Sequence, residues 1–409
     1  MKPGVINRRV VSRRVMSRSV MSRNALTLAA AIFIVGYGTN VSTPFLILYK
    51  RRLDLGASAT MSIFVVYVIG ILGTLMIIGP VSDRYGRRPV VLPFTLLSGV
   101  ASLLLIPGRD SLALLLFGRF LLGAVSGAVL AIGAAWMLEL MGREQAMRAA
   151  VVATTVSYLG FGSGPVLSAA FEWFNASPLV SPFIVHMALV VAIVALLLRV
   201  PETHPPQQPR QPLRLNFGVP NEARRTFLRL IVPPALWVFS FPSAGFALFP
   251  VLLSDSISGA EVTLAAASGA ITAISGVSAR PVLTMLGPRA TLRIAMAVGT
   301  IGYVFGTLAF ATGGWVLVLP AAFCLGAASG MITSAALTLI GQIADDESRG
   351  SISGTFYLLA YPGMAMPLII TGLAALIGST SAALAVVTVA AACAAVLTML
   401  LSSSDPSRT

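Results

Sequence analysis

Charged side chains are scarce in this chain, and those that interrupt its long apolar runs are the groups that could carry protons or form ion pairs there. They are Asp83, Arg84, Arg87, Arg88, Arg119, Glu139, Glu172 and His186. A guanidinium can pair with a carboxylate, while a carboxylate or an imidazole can take up and release a proton. Each of them costs free energy to bury in an apolar environment, so each needs a partner or a function.

The composition indicates a polytopic, all-α membrane protein. Of the 409 residues, 56% are hydrophobic and 10% are charged, whereas soluble domains carry about 25% charged residues. The apolar runs are continuous and about 20 residues long, which favours helices over a barrel. We predict twelve transmembrane helices, at residues 25–48, 57–80, 90–107, 112–138, 148–172, 180–200, 227–253, 262–285, 293–311, 314–340, 351–374 and 379–401.

Basic residues lie mostly on one side of this predicted bundle. If both termini are cytoplasmic, the Lys and Arg residues outside the cytoplasm are Lys50, Arg51, Arg52, Arg109 and, within a span, Arg119. The positive-inside rule explains this bias, so the net charge of +14 sets orientation and does not indicate nucleic-acid binding. We therefore predict a multi-pass protein of the cytoplasmic (inner) membrane, with cytoplasmic tails at 1–24 and 402–409. The basic first tail would touch anionic lipid.

A polar, proline-rich stretch at 201–224 divides the chain into two blocks, 25–200 and 225–401. We interpret it as a cytoplasmic linker, because proline prevents a continuous helix. Span four contains Leu122–Gly127, Leu-Gly-Ala-Val-Ser-Gly, and span ten contains Leu325–Gly330, Leu-Gly-Ala-Ala-Ser-Gly. This recurrence predicts two pseudo-symmetric six-helix bundles, with a binding site at their interface near the middle of the membrane.

The loop at residues 79–88, Gly-Pro-Val-Ser-Asp-Arg-Tyr-Gly-Arg-Arg, lies between spans two and three. Its arginines would hold the loop in the cytoplasm, but acids contribute little to orientation, so Asp83 needs another explanation. The loop resembles the one between the second and third helices of the major facilitator superfamily, a family of solute transporters. The matching residues are Gly79, Asp83, Arg84, Gly86, Arg87 and Arg88, with no gap.

The resemblance implies a conformational latch, although the arginines alone could simply fix topology. In the family, the loop aspartate faces the start of span eleven and holds the two halves in the outward-open state. Here Asp83 would face residues 349–353, where a helix N-terminus favours an anion. The resemblance also implies that Arg87 or Arg88 pairs with the acid at the cytoplasmic end of span four, Glu139. The equivalent loop of the second half lacks the aspartate, so we expect a single latch.

Arg119 lies inside span four, where an arginine costs about 2.5–3.5 kcal/mol at the helix centre. It either faces a polar cavity or extends to the outer surface, about two turns away. Arg119 together with Gly123 resembles the span-four motif of the drug:proton antiporter branch, in which the arginine is linked to proton coupling.

Span five carries a second pattern of that branch, Gly-x-x-x-Gly-Pro-x-x-Gly-Gly. Gly160, Gly164 and Pro165 match it, while Ser168 and Ala169 replace the last two glycines. Small residues allow close helix packing and proline bends a helix, so simple packing is an alternative explanation. The resemblance implies export.

The proton carrier is not evident, because span one contains no Asp or Glu although many such antiporters have an acid there. The candidate proton sites are Glu172, at the end of span five, and His186, in span six. A lone histidine in a membrane span can equally be packed or hydrogen-bonded. Coupling uses one of these residues or another that the pattern does not identify, or else the protein is a uniporter.

The interface between the halves should form a mostly apolar cavity for an amphipathic small molecule, with few polar anchors. The candidate lining residues are Tyr37, Asn40, Trp136, Tyr158, Phe241, Phe246, Tyr357 and Tyr361. Because Arg119 is the deep charge, a neutral or anionic substrate fits better than a dication.

Together these features predict a secondary transporter, for which proton-coupled efflux of a drug-like molecule or metabolite is the first hypothesis. The acid-free first span keeps open an importer or facilitator of a sugar or organic anion. The sequence contains no polar cluster of an enzyme, no metal-ligand spacing and no nucleotide-binding loop, so we expect no enzyme activity and no cofactor. The expected partners are the substrate, membrane lipids and protons, with a monomeric protein. Cys324 and Cys393 lie in spans and fit as apolar filler.

Overall fold

The apolar runs fold into helices, since backbone groups in lipid must be hydrogen-bonded within their own segment. The computed structural model describes residues 21–174, 177–204, 218–257, 259–278, 280–345 and 348–403. Most of the predicted cytoplasmic tails and most of the predicted linker lie outside the described residues. The predicted division into domains therefore stays a prediction. Below, "inner" and "outer" follow the orientation predicted from the basic residues.

Seven α-helices precede the linker. They are α1 (Arg23–Asn40), α2 (Leu46–Arg52), α3 (Ala57–Tyr85), α4 (Arg88–Gly108), α5 (Leu112–Met141), α6 (Ala146–Trp173) and α7 (Ser181–Leu197). The first predicted span is thus broken, and residues 41–45 separate α1 from α2. Proline at position 44 explains the interruption, because it lacks an N–H and disfavours helical geometry in the residue before it.

After the linker the seventh span is one helical stretch, Asn221–Leu252, that contains two wide π-turns. Its α-helical parts are α8 (Asn221–Thr226), α9 (Val232–Ala235), α10 (Trp237–Ser243) and α11 (Phe249–Leu252). The remaining helices are α12 (Glu261–Ser278), α13 (Arg280–Thr312), α14 (Val318–Ile343), α15 (Arg349–Ala360), α16 (Met366–Ile377) and α17 (Thr380–Ser403). A 3₁₀ turn, Tyr361–Ala365, joins α15 to α16 into the eleventh span.

Ten helical stretches among the described residues are long and apolar enough to cross a membrane. The first and sixth predicted spans are not among them: α7 has 17 residues, and the 18 residues of α1 include Arg23, Asn24 and Asn40 at its two ends. The predicted end of span eight, near residue 285, lies just before Gly287, whose φ of 74° breaks the helical geometry within α13.

The recurring hexapeptide occupies equivalent places in the two halves. Gly123 brings α5 against α3 so closely that a Cβ atom there would overlap the carbonyl oxygen of Tyr67. Gly326 brings α14 against α12 in the same way, because a Cβ atom would overlap the carbonyl oxygen of Thr272. In lipid such small residues drive helix association by close packing. Each half therefore joins its second and fourth spans through the same motif.

The halves meet along two pairs of helices, α6 with α12 and α3 with α16. Two ion pairs join them on the outer side. Lys50 Nζ lies 2.9 Å from Asp255 Oδ2, and Arg51 Nη2 lies 2.5 Å from Glu261 Oε1. Lys50 and Arg51 lie in α2, Asp255 precedes α12 and Glu261 begins it. These two ion pairs therefore join the halves on the outer side.

Candidate functional site

The loop between α3 and α4 is organised around the side chain of Arg87. Its Nη1 donates to Asp83 Oδ1 at 2.6 Å and to Ser82 Oγ at 3.0 Å, while its Nη2 lies 3.0 Å from Glu139 Oε1. Burial acts to lower the pKa of Arg87, but the hydrogen bonds to Glu139 and Asp83 outweigh it and raise the pKa. Arg87 therefore stays charged, and it ties the loop to the inner end of α5.

The other motif residues take separate positions. Of the two arginines predicted to pair with Glu139, Arg87 makes the contact, whereas Arg88 Nη2 donates to the carbonyl of Leu198 at 2.6 Å. Arg84 lies over the ring of Tyr85 at 5.4 Å. Gly79 has open space where a side chain would be, and Gly86 turns the chain with a φ of 101°.

Between Asp83 and the described residues of span eleven, the structure shows no hydrogen bond or ion pair. Its carboxylate bonds to Arg87, and its side chain is 57% exposed. The described polar groups at the start of α15 instead contact the end of the linker: Ser351 Oγ donates to the Gly218 carbonyl at 2.9 Å, and Gly218 N donates to Thr355 Oγ1 at 3.1 Å. The implied latch belongs to the outward-open state, whereas in this structure two ion pairs join the halves on the outer side. The latch therefore stays a prediction.

The sequence left two positions open for Arg119, one facing a polar cavity and one at the outer surface. The structure contradicts both, because the side chain is enclosed within the first half. It is 2% exposed. Nη1 donates to the Thr39 carbonyl at 2.8 Å and to Ser42 Oγ at 3.1 Å, and Nε donates to the Ile63 carbonyl at 3.1 Å. The guanidinium also lies 5.2 Å from the ring centre of Tyr67. The break after α1 explains this placement, because carbonyls at a helix end lack partners within the helix.

The candidate proton sites lie in different surroundings. His186 is fully buried within the first half, where Nδ1 lies 2.7 Å from Ser102 Oγ and the ring packs against Tyr37. Glu172 is half-buried near the outer end of α6, within electrostatic reach of Arg51 and Glu261. Only Glu172 of these two therefore stands beside an ion pair that joins the halves.

The small residues of span five are close contacts. Gly160 approaches Gly36 of α1, and a Cβ atom at Gly164 would lie 2.8 Å from the backbone nitrogen of Val41. Pro165 lies on the other side of α6, against Gly269 of α12. This motif thus packs α6 against the first span on one face and against the second half on the other.

Three of the predicted cavity residues converge at the seam between the halves. Tyr357 and Tyr361 have ring centres 6.1 Å apart, and Tyr158 of α6 lies within electrostatic reach of both. Two residues that the sequence interpretation missed complete this tyrosine cluster: Phe239, which stacks on Tyr361 at 4.6 Å, and Tyr67 of α3. Tyr67 could have been noticed as the one tyrosine of the second predicted span.

The other predicted cavity residues belong elsewhere, which corrects the expectation. Trp136 is fully buried in the core of the first half, and Tyr37 donates to the Pro182 carbonyl beside His186. Phe241 is fully buried against Trp237 within the second half.

Two polar or aromatic candidates lie at helix contacts. Asn40 ends α1 and reaches the Phe161 carbonyl at 3.5 Å, and Phe246 packs beside Gly269.

A cavity of about 430 Å³ lies between α6 and α12, with Tyr158 in its wall. Apolar residues such as Ala270 and Ile274 form most of the rest of its lining, together with the hydroxyl residues Thr154, Thr155, Ser163 and Ser278. Among the described side chains of its lining, none is acidic, basic or a histidine. This cavity and the tyrosine cluster share Tyr158, so an apolar, aromatic surface extends along the seam.

The fold and these features define a helical membrane transporter built from two related halves. Residues 28–367 match the family model described as the Major Facilitator Superfamily, and the chain belongs to this family. This is a family of transporters, not of enzymes. The relationship inferred from the loop at 79–88 is thereby confirmed.

Among curated proteins, the chain is 28% identical over 324 residues to the tetracycline resistance protein, class C, of Escherichia coli, covering 74% of this chain and 77% of that protein. It is 26% identical to the class H tetracycline resistance protein of Pasteurella multocida, covering 69% and 71%. It is also 28% identical to the multidrug resistance protein MdtM of Salmonella typhimurium, over 40% of each chain. All three relatives are named as proteins of resistance to tetracycline or to multiple drugs.

Solved structures support the fold. A point mutant of the nucleoside transporter NupG superimposes with a TM-score of 0.73 at 12% identity, covering 92% of this chain and 99% of that one. The transporter PepTSo of the POT family gives a TM-score of 0.75 at 13% identity, covering 95% and 99%. At such identity the likeness concerns the fold alone.

Proposed function

We propose that this transporter exports an amphipathic, drug-like molecule across the cytoplasmic membrane by alternating access, in exchange for protons. The observation that carries the proposal is the aromatic, uncharged surface at the seam, formed by the tyrosine cluster and the adjoining cavity. Such a surface binds apolar ring systems through burial and aromatic contacts, with few polar anchors. The relation to tetracycline and multidrug resistance proteins supports the same substrate class.

For proton coupling, Glu172 is the better placed of the two candidates. It lies near Arg51 and Glu261, so a change in its charge would act on an ion pair that joins the halves. The imidazole of His186 is sealed within one half and hydrogen-bonded to Ser102. We propose cytoplasmic termini, from the basic-residue bias, and a monomeric protein.

The alternative is an importer or facilitator for a sugar or organic anion, and the acid-free first span favours it. The surroundings of Arg119 argue against an anion, because its guanidinium is occupied by Thr39, Ser42 and Ile63. The proposal therefore places efflux first.

Transport by purified protein in liposomes separates these possibilities. We expect tetracycline to accumulate when an imposed proton gradient drives exchange, and accumulation to cease when nigericin collapses that gradient. Glucose counterflow measures the alternative in the same liposomes. Tyr361→Ala is expected to lower tetracycline transport several-fold, while Phe323→Ala, at an exposed aromatic residue of α14 outside the tyrosine cluster and the cavity lining, serves as the matched control. Tetracycline movement that ignores the proton gradient would contradict antiport, and glucose counterflow without tetracycline transport would contradict efflux.

A further inference from the structure

The first residues of the linker contact the loop between α3 and α4. The chain leaves α7 at Leu197 and reaches Glu202 through residues 198–201. There the Glu202 side chain turns back towards the start of α4. Glu202, Thr203 and His204 together, called the linker clip below, lie against this loop and the inner end of α5.

The Glu202 carboxylate accepts four backbone hydrogen bonds. Oε1 accepts from Arg87 N at 3.1 Å, from Thr203 N at 2.9 Å and from His204 N at 2.8 Å, and Oε2 accepts from Arg88 N at 2.8 Å. The first N–H groups of a helix have no partner within it, and a carboxylate there also complements the helix dipole. Glu202 therefore caps α4 from the linker, in place of a local capping residue.

Gly86 makes room for this contact. Its φ of 101° is unfavourable for other residues, and a Cβ atom would lie 2.6 Å from Glu202 Oε2. This position of the motif thus requires glycine for two reasons: the positive φ of the turn, and the space that the Glu202 carboxylate occupies.

The linker clip also reaches the acid that pairs with Arg87. Thr203 Oγ1 donates to Glu139 Oε2, and His204 Nδ1 lies 3.9 Å from Glu139 Oε1. One carboxylate of α5 is therefore shared between the loop, through Arg87 Nη2 at 3.0 Å, and the linker. Loop, α5 and linker form one connected polar network.

The equivalent turn in the second half differs. Gly287 has a positive φ of 74°, as Gly86 has, but nothing in the described part of the chain lies within 4 Å of where its Cβ would be. The turn with a positive-φ glycine thus occurs in both halves, whereas a carboxylate packed against it, that of Glu202, is observed in the first half.

We propose that Glu202 is a positioning residue for the gating loop, and that the linker clip makes the linker a part of the conformational switch. It fixes the backbone of Arg87 and Arg88, so that the exchange of Asp83 between Arg87 and span eleven is a movement of side chains on a fixed turn. This inference concerns the loop and does not depend on the substrate.

Trypsin cleavage of the purified protein in detergent tests the contact directly, because Arg88 N is both the N–H of the Arg87–Arg88 peptide bond and a donor to Glu202. Glu202→Gln replaces an acceptor oxygen by a donor group. We expect cleavage after Arg87 to be about tenfold faster in this variant, since hydrogen bonds to a charged group are stronger than neutral ones and their loss frees this peptide bond. Mass spectrometry of the fragment that begins at Arg88 gives the rate.

Glu222→Gln is the matched control, because Glu222 is an exposed acid at the other end of the linker. It should cleave as the unmodified protein does. Glu202→Asp keeps the charge on a shorter side chain and should give an intermediate rate, which also provides a second variant if Glu202→Gln does not fold. Equal cleavage in the Glu202 variants and the control would overturn the proposal.

Tetracycline transport gives a second readout that a general loss of stability would not produce. We expect Glu202→Gln to lower the maximal rate several-fold, because the loop governs the conformational change. KM should change less than twofold, because the proposed substrate surface at the seam is unaltered. An unchanged maximal rate in folded protein would also overturn the switch role. If tetracycline is not transported at all, the proposed function fails, while the cleavage result still decides the contact.

Discussion

At the scale of single residues, two charges that look alike in the sequence have different surroundings. Arg87 lies outside the spans and bonds to two acids from different helices, Asp83 and Glu139. Arg119 lies within a span and bonds to backbone carbonyls and a hydroxyl. The first lies between two helices outside the spans, whereas the second, if it moved, would be a charge without its hydrogen-bond partners in an apolar environment.

Asp83 allows a test of the implied latch. Asp83→Asn keeps the shape of the side chain but removes the charge that a helix N-terminus or Arg87 would attract. We expect tetracycline transport to fall several-fold, with the amount of protein in the membrane unchanged. Rates of liposome transport normalised to inserted protein give the comparison. A variant that transports at the normal rate would exclude a latch role for this residue.

At the scale of helices, the repeated glycines determine how closely neighbouring spans approach. Gly123→Ala places a methyl group against the Tyr67 carbonyl and forces α5 away from α3. Overpacking of this kind costs about 1–3 kcal/mol. We expect a lower Tm in detergent, measured by the loss of monodisperse protein on heating.

The matched control for that experiment is Gly73→Ala, because Gly73 lies in α3 with open space around its Cβ position. Alanine also has the higher helix propensity, so this variant should be at least as stable as the unmodified protein. A similar loss of stability in both variants would mean that the close contact at Gly123 does not limit packing.

The helices themselves could be predicted from the sequence, but the faces that they present to one another could not. Lipid is about as apolar as the interior of the bundle, so a span shows little difference between its two sides. For this reason the sequence could not show which aromatic residues are buried inside one half and which lie at the seam. Trp136 and Phe241 belong to the first group, and Tyr158 and Tyr361 to the second.

The motif at 79–88 was informative because it consists of charges and glycines, whose positions are restricted by desolvation and by backbone geometry. The family resemblance of this motif implied that Arg87 or Arg88 pairs with Glu139, and Arg87 makes that contact. The capping by Glu202 could not be predicted, since it depends on where the chain turns after α7 and lies more than 100 residues from the loop.

At the scale of the whole molecule, ion pairs hold the two halves together on the outer side. Lys50→Asp or Asp255→Lys alone places like charges opposite each other, and the exchange of both restores the pair. We expect each single variant to shift the population towards an open outer side, and the double variant to return it. The shift should be a few-fold, because exposed pairs contribute about 0.2–1 kcal/mol.

Spin labels on cysteines introduced at Ser58 and Leu376, near the outer ends of α3 and α16, report this opening through their distance distribution. The hydrogen bond from Lys50 lowers the pKa of Asp255. Its stabilising effect is therefore present above the ordinary carboxyl pKa, about 4, and is lost only as the pH falls through the lowered pKa. The distances should not change between pH 5 and 8 but should lengthen in high salt. Longer distances in the double variant than in the single variants would exclude a direct pair.

The interruption of the first span at residues 41–45 has a consequence for biosynthesis. The break leaves Thr39 and Ser42 available to Arg119, and Ile63 of α3 completes the set. All three partners precede Arg119 along the chain, so they leave the ribosome before the arginine does. When the fourth span emerges, its costly residue can meet acceptors that are already synthesised. The order of these residues along the chain thus matches the order in which this contact can form during synthesis.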